Sequence, residues 1–190
     1  MSAAVPPSGA ARPGDAAPVA PRVVRAGVTG HRTFDDAEGV ARSVRRALER
    51  LLHLAGDVGD GTTVRLEVIS ALAEGADRLV AREALALPGT TLSVVLPFPA
   101  EDYSRDFETE ESKREFAEFL ARAQDVEVMP PTPTREAGYE LQGRRVADRS
   151  DALVTVWDGG GTRGQGGTAE IVAYAADRGL PIFWVRVTRP

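Results

Sequence analysis

Two apolar runs in this chain each end in a glycine-rich turn that opens a helical pattern, and that arrangement leaves few folds available. The first is Val23-Val24-Arg25-Ala26, followed by Gly27-Val28-Thr29-Gly30-His31-Arg32. The second is Ala152-Leu153-Val154-Thr155-Val156-Trp157, followed by Asp158-Gly159-Gly160-Gly161-Thr162-Arg163-Gly164-Gln165-Gly166-Gly167-Thr168-Ala169-Glu170. Each reads as strand, glycine turn, helix. Such a turn aims backbone N–H groups and the positive end of a helix dipole at one point, where an anion such as phosphate is stabilised. Two of them in one small α/β domain predict a nucleotide-type ligand at the carboxyl ends of parallel strands.

Between the two turns the pattern alternates. Val23–Val28 reads as the first strand. From Ala37, the positions Val40, Ala41, Val44, Ala47, Leu48, Leu51 and Leu52 recur at helical spacing up to Gly56. Gly59-Asp60-Gly61 reads as a loop and Val64–Ile69 as a strand. A helix is predicted from about Glu74 to Leu87, stopped by Pro88-Gly89. Strands follow at Thr91–Leu96 and Val126–Met129, with a helix at Glu111–Arg122 between them and a turn over Pro130–Thr134. A helix over Arg135–Arg149 leads to the strand Ala152–Trp157. That strand is apolar almost throughout, as expected where both faces are covered. A helix over Thr168–Arg178 and a last strand at Ile182–Val187 complete the pattern. Strict alternation predicts a single doubly wound Rossmann-like α/β domain, with a mainly parallel sheet of about six strands and helices on both faces.

A chain of 190 residues suffices for one such domain with a full core. Residues 1–21 are rich in Ala, Pro and Gly and offer too little apolar surface to offset ordering entropy. They are expected to be a disordered tail rather than a signal peptide, with the domain at 22–190. No apolar run approaches the roughly 18 residues of a membrane span, so a cytoplasmic location and no membrane partner are expected. The net charge of −5 disfavours general nucleic-acid binding. Without cysteine and with only two histidines, His31 and His53, no metal site is marked. No cofactor is expected.

The candidate ligand-binding residues are those at the predicted strand ends: Gly27, Thr29, Gly30, His31 and Arg32 from the first turn, Ser70, Gly75 and Asp77 after the second strand, and Asp158, Gly166, Gly167 and Thr168 from the last turn. Gly27 and Gly30 permit close backbone approach. Arg32 is a forked cation suited to phosphate. Glu74 and Asp77, three apart, would share a helix face. Thr168 is the expected N-cap of the last helix. Glu170 would stabilise that helix's dipole, contact a ribose hydroxyl or act at an anomeric carbon. Phe98 and Tyr103 would stack on a base, line the pocket or close the core.

The series Gly27–Arg32, Ser70-Ala71-Leu72-Ala73-Glu74-Gly75-Ala76-Asp77, Leu96-Pro97-Phe98-Pro99, Ser150–Leu153 with Trp157-Asp158-Gly159, and Gly166-Gly167-Thr168-Ala169-Glu170 resembles the SLOG superfamily over about residues 22–188. That group of Rossmann-like domains includes the Lonely-guy cytokinin-activating hydrolases, DNA-processing protein A and sensor domains for nucleotide-derived signals. The resemblance implies a homo-oligomer and a nucleotide-type small-molecule partner. The hydrolase branch carries Pro-Gly-Gly-x-Gly-Thr-x-x-Glu. Here Gly167-Thr168 match its Gly-Thr, the proline is missing, and Glu170 follows the threonine by two places where Ile171 stands at the third. Val156-Trp157-Asp158-Gly159 followed by Gly167-Thr168-Ala169-Glu170 also resembles nucleoside 2-deoxyribosyltransferases, which are similar in fold. Three functions follow as expectations. The first is a sensor domain that binds a nucleotide or nucleotide-derived ligand. The second is an enzyme of the N-glycosidic bond, a hydrolase or transferase with Glu170 and Arg32 as catalytic groups and Asp77 as the other candidate carboxylate. The third is a non-catalytic interaction domain.

Overall fold

The computed structural model describes residues 20–56, 63–161 and 166–188. The tail through Val19, the Gly59-Asp60-Gly61 loop and Thr162–Gln165 lie outside the described residues. Six strands, β1 (Arg22–Gly30), β2 (Val64–Ser70), β3 (Thr91–Leu96), β4 (Asp125–Val128), β5 (Ala152–Trp157) and β6 (Ile182–Arg186), form one sheet in the order β4-β3-β2-β1-β5-β6. Every neighbouring pair is parallel. The helices are α1 (Ala37–Gly56), α2 (Ala76–Leu85), α3 (Ala100–Tyr103), α4 (Glu110–Arg122), α5 (Arg135–Asp148) and α6 (Thr168–Asp177).

Side-chain alternation along the strands divides the core. Val24, Ala26, Leu66, Val68, Leu92, Val94, Val154 and Val156 pack with Val44 and Leu48 of α1, Val80 and Ala84 of α2, and Phe116 and Phe119 of α4. The intervening positions face the other way. Ile69 and Val95 meet Val146 of α5, and Leu153 meets Ala147 of α5 and Ala175 of α6. Period-two alternation inside a doubly covered sheet therefore builds two apolar layers from one set of strands. This is the Rossmann-like doubly wound arrangement.

Connectivity fixes where a cleft must open. The chain steps outward from β1 through β2 and β3 to β4, then returns to the opposite side of β1 to lay down β5 and β6. The connections leaving β1 and β5 diverge to opposite faces, so a crevice forms at the carboxyl ends of this pair.

Several local expectations are corrected. β1 runs through Gly30, so Gly27 sits inside a strand, paired with Ile69 and Leu153, rather than in a turn. α2 starts at Ala76, after Gly75 at φ +78°, so Glu74 and Asp77 do not share a helix face. Gly167, not Thr168, occupies the N-cap of α6. The short helix α3 and the 3-10 turn Ser104–Asp106, absent from the sequence reading, fold the segment after Pro99 back over the sheet edge.

Candidate functional site

A cleft of about 440 Å³ lies at the carboxyl ends of β1 and β5, within the size range of small-molecule sites. Thr29, Gly30, His31 and Arg32 form its base, and Trp157 borders it at the end of β5. Asp77 of α2 and Tyr103 of α3 close one side. Tyr139 and Gln142 of α5 and Gly166-Gly167-Thr168 at the start of α6 close the other.

The first turn is tied into the scaffold. The His31 amide donates to the Val156 carbonyl at 3.0 Å, and the Ala76 amide donates to the His31 carbonyl at 3.0 Å, which caps the start of α2 with the end of β1. His31 Nε2 lies 2.9 Å from Asp158 Oδ1. The same oxygen accepts from the Gly160 amide at 2.8 Å, so one carboxylate links the first turn to the second. Arg32 is exposed, lines the cleft and forms no salt bridge with a described residue.

Asp77 is buried at 6% exposure. Its Oδ2 accepts from Ser70 Oγ at 3.1 Å and from the Ala71 amide at 3.0 Å. Burial pushes its pKa up from 3.8 to about 6, against the opposing pull of those hydrogen bonds and of Arg32. Ser70, fully buried, also accepts from the Leu72 amide at 3.0 Å and serves to hold Asp77 and the loop rather than to touch a ligand. Glu74 turns away from the cleft and accepts from Ser112 Oγ.

The start of α6 presents the Thr168 and Ala169 amides, which precede the first intrahelical bond. The N-cap Gly167 has no side chain to cover them. Gly166, at φ +77°, donates to Glu170 Oε2 at 2.8 Å. Glu170 therefore staples the turn and faces Arg144 at 3.7 Å; it is not part of the cleft lining. Gly27, Gly75 and Asp158 likewise stand behind the lining.

Of three further lining residues, Tyr103 was one of the two aromatics expected to line the pocket or close the core, and Gln142 and Trp157 were not expected there. Tyr103 is 1% exposed, its ring set edge-on against Phe107 and Phe116. Burial, then the nearby Asp77 charge, raises its hydroxyl pKa. Gln142 is 8% exposed. Neither side chain donates a hydrogen bond to a described residue, and neither polar end is sealed in the core as the Thr155 hydroxyl is. Both ends therefore open on the cleft they line. Trp157, read only as a strand residue, stacks at 5.5 Å against the exposed Trp184, whose Nε1 donates to the Trp157 carbonyl at 2.9 Å.

A polar network ties the Tyr103 segment to the Gln142 helix. Arg135 donates to both oxygens of Asp106 at 2.7 and 2.8 Å and to Asp102 at 3.2 Å, and its guanidinium lies 4.1 Å from the centre of the Phe98 ring. The Tyr139 hydroxyl donates to the same Asp106. The carboxylate of Asp106 holds the Arg135 guanidinium more strongly protonated than usual. Asp102 and Asp106 flank Tyr103, and Arg135 and Tyr139 precede Gln142, so the network sets the spacing of the two unpartnered groups.

No family model and no curated protein matches this chain. Among the described residues no helix is long and apolar enough to cross a membrane, and no cluster of three or more His, Asp or Glu is placed to hold a metal.

Proposed function

We propose that this protein binds a nucleotide or nucleotide-derived ligand in the cleft between β1 and β5. The observation that carries the reading is the convergence, at a topological switch point, of two kinds of group. Arg32 and the uncapped amides of α6 suit an anion. Tyr103 and Gln142, buried and unpartnered, call for hydrogen bonds that only a ligand or water supplies. The order of motifs across residues 22–188 supports a sensor-type SLOG assignment for the domain.

A second reading has one specific observation in its favour. Asp77, with a pKa of about 6 inside the cleft, is suited to proton transfer near neutral pH. An N-glycosidic-bond enzyme would use it, with Arg32 holding a phosphate. Glu170, occupied with the Gly166 amide, fits that role less well.

One experiment separates the two. The protein is incubated with nucleoside monophosphates and deoxynucleosides, and the mixture is analysed by mass spectrometry alongside a thermal-shift titration. Binding at 100 times the Kd stabilises by about 2.7 kcal/mol. A shift with nucleotides recovered intact supports the sensor. Free base, lost in Asp77→Asn, moves the reading to the enzyme.

A further inference from the structure

Resting on the nucleotide reading, we infer that Gln142 and Tyr103 read the base from the two sides of the cleft, the Gln142 amide and the Tyr103 hydroxyl binding polar atoms of a heteroaromatic nucleobase. The cleft lining carries two kinds of group. Arg32 and the start of α6 offer positive charge. Tyr103 on one side and Gln142 on the other are uncharged, and each is able to donate and to accept. Ala71, Ile171 and Trp157 add apolar or aromatic surface to the same lining.

That setting fits a base better than a second phosphate or a sugar. A phosphate calls for cations or free amides, and neither Gln142 nor Tyr103 carries charge. The carboxylate most suited to sugar hydroxyls, Asp77, already accepts from Ser70 and Ala71. A planar amide matches the adjacent donor and acceptor of a base edge in two parallel bonds, the pairing glutamine makes with adenine in nucleic-acid recognition. A heteroaromatic ring also gains from the apolar surface beside it. The two sides are tied to each other. Arg135 and Tyr139 lock α5 to the Asp102–Asp106 segment, so neither reader has to be ordered on binding.

The test compares Gln142→Leu and Tyr103→Phe with wild type by calorimetric titration against four probes and a control. The probes are the monophosphates of adenosine, guanosine, cytidine and uridine; the control is ribose 5-phosphate, which keeps the anion and the sugar but lacks the base. Tyr103→Phe keeps the buried ring, and thermal melting checks that both variants fold. Wild type is expected to bind at least one nucleotide at least ten-fold tighter than ribose 5-phosphate. Each variant is expected to weaken that nucleotide about ten-fold and to leave ribose 5-phosphate within two-fold. Nucleotide affinities within two-fold of wild type in both variants would overturn the assignment. Equal wild-type affinity for ribose 5-phosphate and all four nucleotides would overturn it too, while leaving the phosphate site intact. Binding of none of the five would overturn the assignment and the nucleotide reading together.

Discussion

The two glycine turns are alike in composition and different in cause. At the end of β1, glycine is demanded by neighbouring elements. A Cβ on Gly30 would stand 2.5 Å from the Ala76 Cβ and 2.6 Å from the Val156 carbonyl oxygen. On Gly75, which faces that turn at φ +78°, a Cβ would lie 2.2 Å from the Arg32 carbonyl oxygen. In the turn after β5 Asp158 holds the Gly160 amide and Glu170 the Gly166 amide, and a Cβ on Gly166, at φ +77°, would lie 2.8 Å from the Glu140 amide nitrogen of α5. A Cβ on Gly161 would meet nothing within 4 Å. Glycine in the first turn therefore reports the packing of α2 against β1 and β5. In the second, Gly166 reports packing against α5, while Gly161 lines the cleft with open space around it, and a ligand argument belongs more to that part of the turn.

This contrast can be broken at several points. The largest effect is expected for Gly75→Val, which combines a disfavoured φ with a backbone clash. Urea unfolding should register a loss of about 3 kcal/mol or more, or no folded protein at all. A fully stable variant would mean that the first turn is not set by packing.

Asp77 comes next, at the junction between α2 and the cleft. Its folded pKa of about 6 lies above its ordinary value of 3.8. A raised carboxyl pKa contributes stability that is present below the unfolded pKa and lost as pH rises through the folded one. Between pH 4 and 7 wild type should lose about 2–3 kcal/mol through this group, and Asp77→Asn should not. The gap between the two proteins, measured by urea unfolding at both pH values, should widen in favour of the variant. A constant gap would refute the assignment.

Glu170→Ala removes the staple of the second turn and should cost about 1 kcal/mol, the size of a lost helix cap, with the cleft's own side chains untouched. Smallest of all, Gly161→Ala should shift stability by no more than about 0.5 kcal/mol. A loss at Gly161 as large as that at Gly75 would erase the distinction between the turns.

Alternation of strand and helix was legible in the sequence because apolar period and turn residues agreed along most of the chain. Sheet order was not: no local signal states that β5 returns to the far side of β1, and the location of the cleft follows from that return. Among the cleft-lining residues, Arg32, Asp77 and Gly167 were legible because they follow strand ends, and Thr29 because it lies in the last residues of β1. Gln142 was missed because its helix looked mixed-faced. Yet Gly138, Gln142 and Val146, spaced four apart, form a buried stripe, and an amide on such a stripe was the available signal. Tyr103 was weighed as a pocket or a core aromatic, and its ring is packed in the core. Its hydroxyl reaches the cleft only because α3 turns back after Pro99, and the Leu96-Pro97-Phe98-Pro99 run gave no period from which a helix could be read. Glu170 looked like a site residue by position alone; the Gly166 amide, brought back by a positive φ, occupies it.

The central claim is that the anion end of the cleft, Arg32 with the start of α6, binds the phosphate of a nucleotide. Isothermal titration of wild type, Arg32→Ala and Gly167→Val with a nucleoside monophosphate panel tests it most directly. Saturable binding to wild type is expected, with affinity about ten-fold or more lower in Arg32→Ala, the scale of a lost charge-assisted contact, and lower again where a side chain crowds the start of α6. Wild-type binding that both variants leave unchanged, or no binding by wild type to any member of the panel, would contradict the account.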